Sequence, residues 1–273
     1  MRKKLKIGVL VSGNGSNLQS IIDACKSGRI NGEVTFVGSD RPGVFALERA
    51  EKHGIPNFVV DYGEELKKLK RAGSIIGANI APKDYNFNDI LKKLGGTLAV
   101  KLNKSKLAST ALIESLLLEE MAKYQYDLLV LAGFMRLFTP YLIDKINVNP
   151  YMPKIMNIHP ALLPAFPGTD GYGDTYAFGC KVGGCTVQFI DYGEDTGPII
   201  GQKTFSIPEE YNTVKKIKER GLPVEWELYP ECIQLFAEGR LQVVDRTYKG
   251  KIKKVVEVLP SDCKIDNYQL FGR

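Results

Sequence analysis

The stretch Lys154-Ile155-Met156-Asn157-Ile158-His159-Pro160-Ala161-Leu162-Leu163-Pro164 ends an apolar run on a carboxamide and an imidazole two residues apart. On an extended backbone that spacing turns both side chains to one side. Pro160 and Pro164 stiffen the exit, because each fixes its own φ and disfavours helix in the residue before it. Such a pair suits acyl transfer: the amide donates to a developing oxyanion and the imidazole moves a proton. The alternative is that His159 fills a hydrogen-bonded turn, and this stretch alone does not separate the two readings. Asp195, in Tyr192-Gly193-Glu194-Asp195-Thr196-Gly197-Pro198, is the natural partner of His159. A carboxylate beside an imidazole orients it and favours its charged form. Taken alone, an Asp in a Gly-flanked turn is more often a turn former.

A second candidate lies near the start of the chain. Leu5 to Val11 reads as a buried strand, and Ser12-Gly13-Asn14-Gly15-Ser16-Asn17 leads into apolar residues 18, 21, 22 and 25 at helical spacing. Ser16 or Asn17 is expected to cap that helix. A small-residue loop at a helix start lets an anion approach backbone N–H groups, so the unit is either a phosphate site or a plain βα turn. It is not the G-x-G-x-x-G dinucleotide fingerprint, nor a Walker loop, since no Gly-Lys-Ser/Thr follows.

The elements that must position these residues alternate. Strands are expected at 33–39, 57–60, 127–133, 154–159, 185–191 and 199–207, with helices at 44–53, 107–124, from 139–140 onward, 209–220 and 224–238. His53 falls in a last helical turn, where a dipole or capping role is the default. The Gly-, Pro- and aromatic-rich stretch 165–179 reads as a loop able to cover a site. Residues 63–107 break the rhythm and read as an insertion with a small substructure of its own; residues 241–273 read as a hairpin and irregular tail. The expected fold is α/β: a doubly wound, mostly parallel sheet in one domain spanning 1–273. Segments 13–17, 133–138, 157–160 and 191–197 then all fall at the carboxyl ends of strands, where ligands gather in such folds.

Composition narrows the function classes. The chain carries +6, and residues 63–107 hold ten Lys/Arg against four acids, so the excess is confined to the insertion. A nucleic-acid binder would spread basic residues over its main face. The basic segment is either a local anion contact or, the better reading, a solvated insert. The five scattered cysteines form no CxxC pair, and there are two histidines, so no disulfide framework, zinc site or multi-histidine centre is indicated. No run approaches the roughly 18 apolar residues of a membrane span, and the apolar stretch after Met1 stops too soon for a signal peptide, which leads to a cytoplasmic expectation.

Four segments, in order, carry a family resemblance: Ser12-Gly13-Asn14-Gly15-Ser16-Asn17-Leu18, Leu131-Ala132-Gly133-Phe134-Met135-Arg136, Asn157 to Pro164, and Asp195-Thr196-Gly197-Pro198-Ile199-Ile200. The chain resembles the folate-dependent formyltransferases, and its first segment resembles the phosphoribosylglycinamide formyltransferase branch, the glycinamide ribonucleotide transformylases of purine biosynthesis. The resemblance implies formyl transfer from 10-formyltetrahydrofolate, as co-substrate, to the amine of glycinamide ribonucleotide. It implies a catalytic group of Asn157, His159 and Asp195, with Gly15, Ser16 and Asn17 on the phosphate and Glu225 on the ribonucleotide hydroxyls. It implies a folate site lined by Met135, Arg136, Leu137, Phe138, Asn157, Asp191, Tyr192, Gly193, Glu194 and Asp195, with backbone groups meeting the pterin. Small-molecule substrates are the only partners expected, without metal, nucleic acid or membrane, in a monomer or homodimer.

Three departures from the family pattern stand out. Gln188 occupies a place where many members have His, and Asp170-Gly171-Tyr172 one where some have His-x-His. Both are expected near the covering loop, where they would alter folate contacts. Thr110 stands where an Arg for the folate tail is expected, which makes Lys101, Lys104 or Lys106 of the insertion a candidate substitute. Among rivals, methionyl-tRNA formyltransferase would need an RNA-binding domain after the last matched helix, and formyltetrahydrofolate hydrolase a regulatory domain before the first strand. Transfer to a sugar nucleotide's amine is disfavoured by the Gly13–Asn17 loop. A non-catalytic phosphate-ligand binder on the same fold is disfavoured by the presence of all three catalytic candidates.

Overall fold

The structure, a computed structural model, describes residues 3–71, 81–101 and 104–262, without the side chains of 95–101. The chain runs β1 (Leu5–Val11), α1 (Ser16–Ser27), β2 (Gly32–Ser39), α2 (Phe45–Lys52), β3 (Asn57–Val59), α3 (Tyr62–Arg71), α4 (Phe87–Lys101) and α5 (Lys104–Met121). It continues through β4 (Leu128–Leu131), α6 (Pro140–Ile146), β5 (Ile155–His159), α7 (Gly171–Ala177), β6 (Val182–Phe189), β7 (Ile199–Ser206) and α8 (Val214–Ala237) to the hairpin β8 (Leu241–Tyr248) and β9 (Lys251–Val258).

The seven-stranded sheet has the order β3-β2-β1-β4-β5-β6-β7. Strands β1 to β5 are parallel, and β6 and β7 join antiparallel. Fully buried strands such as Leu128–Leu131 are apolar at every position because helices cover both faces. One apolar layer joins α1, α2 and α8 to the sheet through Ile7, Val9, Leu18, Ile21, Val130 and Tyr229. The other joins α5 and α6 through Leu10, Phe36, Ile113, Leu117, Leu129 and Leu142. The order reverses between β1 and β4, so the loops after β1, β4 and β5 open onto one crevice, as expected for a doubly wound sheet.

Three expectations are corrected. The two helices read at 209–220 and 224–238 are one helix, α8, which runs through Pro223 and Pro230. Burial of Ile217, Leu228, Tyr229, Cys232 and Ile233 along one face outweighs the hydrogen bond each proline removes. The covering loop contains a short helix, α7, started by the Asp170 carboxylate accepting from Gly173 N at 3.1 Å. The insertion does not stand apart: Leu66 and Leu69 of α3 pack into the second apolar layer. Many of its charges are paired, as in Lys67–Glu64 and Lys68–Glu65, or tied to α6, as in Lys93–Asp144 at 2.7 Å. That arrangement matches the solvated-insert reading.

Candidate active site

Strand β5 presents Asn157 and His159, paired across the antiparallel ladder with Gln188 and Thr186 of β6. His159 is buried. Its Nδ1 lies 3.3 Å from Asp195 Oδ2, and its Nε2 lies 2.7 Å from the carbonyl oxygen of Phe166. A carbonyl only accepts, so the Nε2 contact is a hydrogen bond in the tautomer that carries its proton on Nε2, and Nδ1 faces the Asp195 carboxyl. Asp195 is held in turn, Oδ1 accepting from Gln188 Nε2 at 2.8 Å and Oδ2 from Gly168 N at 2.9 Å. Gln188 therefore faces Asp195, on the β6 side of the site. Phe166 and Asp195 have φ of 56° and 53°, a left-handed conformation costly for such residues and often found at functional sites. The Asn157 carboxamide is half-buried and hydrogen-bonds to no described residue.

The loop after β1 follows a different design from the expected cap. Gly15 itself occupies the N-cap position of α1 with φ 76°, and no side chain caps the helix. A Cβ on Gly15 would stand 2.6 Å from Ala46 Cβ, so the turn needs glycine for space as well as for φ. Asn17, within the first turn, sends Nδ2 to Glu225 Oε2 at 2.7 Å instead of capping. Arg49 of α2 braces the loop, donating to the Asn14 carbonyl at 3.0 Å and its side-chain oxygen at 3.2 Å. First-turn amides of α1 are left without a side-chain cap, as an anion site at a helix start requires.

Glu225 and Tyr229 lie four residues apart on the buried face of α8. The Tyr229 hydroxyl sits within hydrogen-bond reach of the Leu131 and Met156 carbonyls, at 3.0 and 2.9 Å, which joins β4 to β5 directly beneath Asn157. Burial pushes the Glu225 carboxyl up, against the lowering effect of hydrogen bonds from Tyr172 and Asn17. Thr186 accepts from Leu163 N at 3.0 Å and donates to the Ala161 carbonyl at 2.7 Å, fixing the exit after His159. Sequence reasoning missed Tyr229 and Thr186; for Tyr229 the signal available was its spacing from Glu225.

The segment after β4 alternates. Met135 and Leu137 are exposed, whereas Phe134 and Phe138 are buried and pack on each other at 5.4 Å between ring centroids. The Arg136 side chain turns to Asp40 at 2.6 Å and over the Tyr62 ring. Burial opposes charge on Asp40, but hydrogen bonds from Arg41, Ser12 and Arg136 outweigh it and hold the carboxyl low. Across the crevice, Asp191 accepts from Gly193 N at 3.0 Å and Thr196 Oγ1 at 2.6 Å, while the Tyr192 hydroxyl donates to Asp144 at 2.6 Å. Glu194 stays partly exposed in that turn. Of the candidate substitutes for the missing arginine, Lys104 lies over the Phe87 ring, Lys106 has a partner, and the Lys101 side chain lies outside the described residues. His53 ends α2 and meets Gln19 and Lys26, away from the site. Among the described residues no group of three or more His, Cys, Asp or Glu is placed to hold a metal, and no helix is long and apolar enough to cross a membrane.

Residues 5–233 match the model of the formyl transferase family, and the chain belongs to that family and is a formyltransferase. It is 33% identical over 229 residues to phosphoribosylglycinamide formyltransferase of Bacillus subtilis, covering 84% of this chain and 93% of that one. It is 34% identical over 245 residues to the trifunctional purine biosynthetic protein adenosine-3 of Chironomus tentans, covering 89% of this chain but 14% of that longer protein. Glycinamide ribonucleotide transformylase 1 of Symbiobacterium toebii superposes with a TM-score of 0.66 at 34% identity, covering 94% of this chain and 95% of that one.

Proposed function

We propose that this chain transfers the formyl group of 10-formyltetrahydrofolate directly to the amine of glycinamide ribonucleotide, a step of purine biosynthesis. The observation that carries the reading is one crevice, in a formyl transferase, that joins the uncapped Gly15–Asn17 helix start to Asn157, His159 and Asp195. The ribonucleotide phosphate binds the amides of Gly15, Ser16 and Asn17, and Glu225 accepts from the ribose hydroxyls. The pterin lies between the 135–138 segment, through backbone groups of Arg136 and Leu137, and the turn Asp191–Asp195.

The amine lone pair attacks the formyl carbon, and the carbonyl π electrons move to oxygen. Asn157 Nδ2 and His159 Nε2–H donate to that oxyanion, while Asp195 sustains the imidazolium. On collapse the bond from carbon to the folate nitrogen breaks, and the proton lost by the amine passes to that nitrogen. For His159 to act, its Nε2–H leaves the Phe166 carbonyl for the formyl oxygen, which displaces the covering segment. The scheme uses no metal.

Absorbance-followed deformylation of 10-formyltetrahydrofolate, with and without glycinamide ribonucleotide, tests the reading on wild type and His159→Ala. Turnover that needs the ribonucleotide and falls by roughly 10²–10⁴ in the variant is expected. Turnover without the ribonucleotide would instead mean a hydrolase. No turnover with any amine offered would mean a binding protein.

A further inference from the structure

Tyr172 belongs neither to the catalytic three nor to the phosphate loop, yet it is buried and its hydroxyl donates to Glu225 Oε1. The other carboxylate oxygen accepts from Asn17 Nδ2 at 2.7 Å. Helices α1, α7 and α8 thus meet at one carboxylate. Space for the tyrosine comes from Gly221, one turn before Glu225 on α8, where a Cβ would stand 2.4 Å from the Tyr172 ring and hydroxyl. Tyr172 therefore points away from the folate side, where the sequence had suggested it would act.

The Tyr172 hydroxyl and one of the two Asn17 Nδ2 hydrogens are spent on Glu225, and what the cluster has left is mostly acceptor. Asn17 Oδ1 is buried without a hydrogen-bond partner, and each Glu225 oxygen keeps a lone pair. A bare buried acceptor is costly unless a donor arrives. A cluster in which acceptors outnumber the remaining donor, beside uncapped helix amides that offer donors, is complementary to a phosphate carrying hydroxyl groups nearby. A carboxylate gripped at both oxygens also cannot rotate its lone pairs away from such a ligand.

We propose that Tyr172 is a specificity-determining positioning residue, whose hydroxyl fixes the Glu225 carboxylate as the acceptor for the hydroxyls of a sugar phosphate seated on the Gly15–Asn17 loop. This rests on the ribonucleotide reading above and assigns a residue of the covering segment to the sugar, not to the folate. Loss of the hydroxyl frees Glu225 to turn, so the penalty follows the sugar and spares the phosphate.

The test is Tyr172→Phe, which keeps the ring against Gly221, assayed by steady-state kinetics and by calorimetry with ribose 5-phosphate and inorganic phosphate as separate probes. The expected result is a ribonucleotide KM raised about tenfold, with the loss on KM rather than kcat and the folate KM unmoved. Ribose 5-phosphate should weaken by a similar factor while inorganic phosphate does not. Gly221→Ala, which displaces the ring but leaves the hydroxyl, should give the same pattern. An unchanged ribonucleotide KM in Tyr172→Phe, or equal weakening of both probes, overturns the inference. Wild type that shows no saturation by glycinamide ribonucleotide instead refutes the underlying reading.

Discussion

The two halves of the crevice are built to opposite rules. Around the phosphate loop, Asn17, Tyr172 and Glu225 are each less than a tenth exposed and joined in one hydrogen-bonded chain, and the one left-handed residue is a glycine. Around the segments proposed for the folate, Met135 is 52% and Leu137 59% exposed. There, two non-glycine residues with positive φ, Phe166 and Asp195, hold the two nitrogens of His159. The first half is prebuilt. The second is held in a strained arrangement in which the carbonyl of Phe166 contacts the His159 nitrogen to which the proposed mechanism gives its proton. The difference teaches where order comes from: in the first half most buried polar groups are paired in advance, with Asn17 Oδ1 left for a ligand, and in the second His159 is kept on a backbone contact that the proposed reaction would release.

The largest expected effect breaks the second half. Asp195→Asn removes the charge beside His159 while leaving a side chain of the same shape, and kcat should fall by about 10²–10⁴, with a smaller change in the ribonucleotide KM. A fall confined to KM would mean that Asp195 only shapes the turn. A smaller effect should strike the first half. Gly15→Ala puts a Cβ 2.6 Å from Ala46 Cβ at a φ of 76°, so a loss of about 1–3 kcal/mol in unfolding free energy is expected. The ribonucleotide KM should rise with it and the folate KM should not, and a uniform loss of both affinities would erase the distinction between halves.

The smallest effect concerns the support behind the 135–138 segment. Glu114 of α5 accepts from Thr139 N at 2.6 Å and from its hydroxyl, at the start of α6. Burial pushes its carboxyl up to about 8, against the lowering effect of those hydrogen bonds. A raised carboxyl favours the protonated fold, so its contribution is fully present below about 4.5 and is lost as pH climbs to about 8. Glu114→Gln, neutral throughout, should flatten the fall in melting temperature across that window. A variant whose melting temperature follows pH as steeply as wild type would place the dependence elsewhere.

Much of this was legible in the sequence for a physical reason. Asn157 and His159 are two apart on one strand, and the phosphate loop is contiguous, so period and local turn chemistry suffice to read them. The cyclic logic of the site was not legible, because its bonds span the chain: Asn17 meets Glu225, and Tyr229 reaches Leu131 and Met156. Gln188 reads from the sequence as a departure near the covering loop; its bond to Asp195 joins β6 to the turn before β7, where the register shifts between Val187 and Gln188, and no local pattern fixes that. Helix α8 was cut at Pro223 because proline weighs against helix locally, and burial overrides it only once the sheet is present. Helix α7 hid behind Gly171 and Gly173, whose low propensity argues for a loop.

The most direct test of the releasable contact is nitrogen-edited NMR of histidine-labelled protein, since the chain has two histidines and His53→Gln assigns the other. The His159 Nε2–H resonance should stay in place when glycinamide ribonucleotide alone is added, because that half is already built. It should move when a non-reactive folate analogue is added, as the proton leaves the Phe166 carbonyl. A resonance that moves with the ribonucleotide alone, or that ignores the folate analogue, would contradict the account.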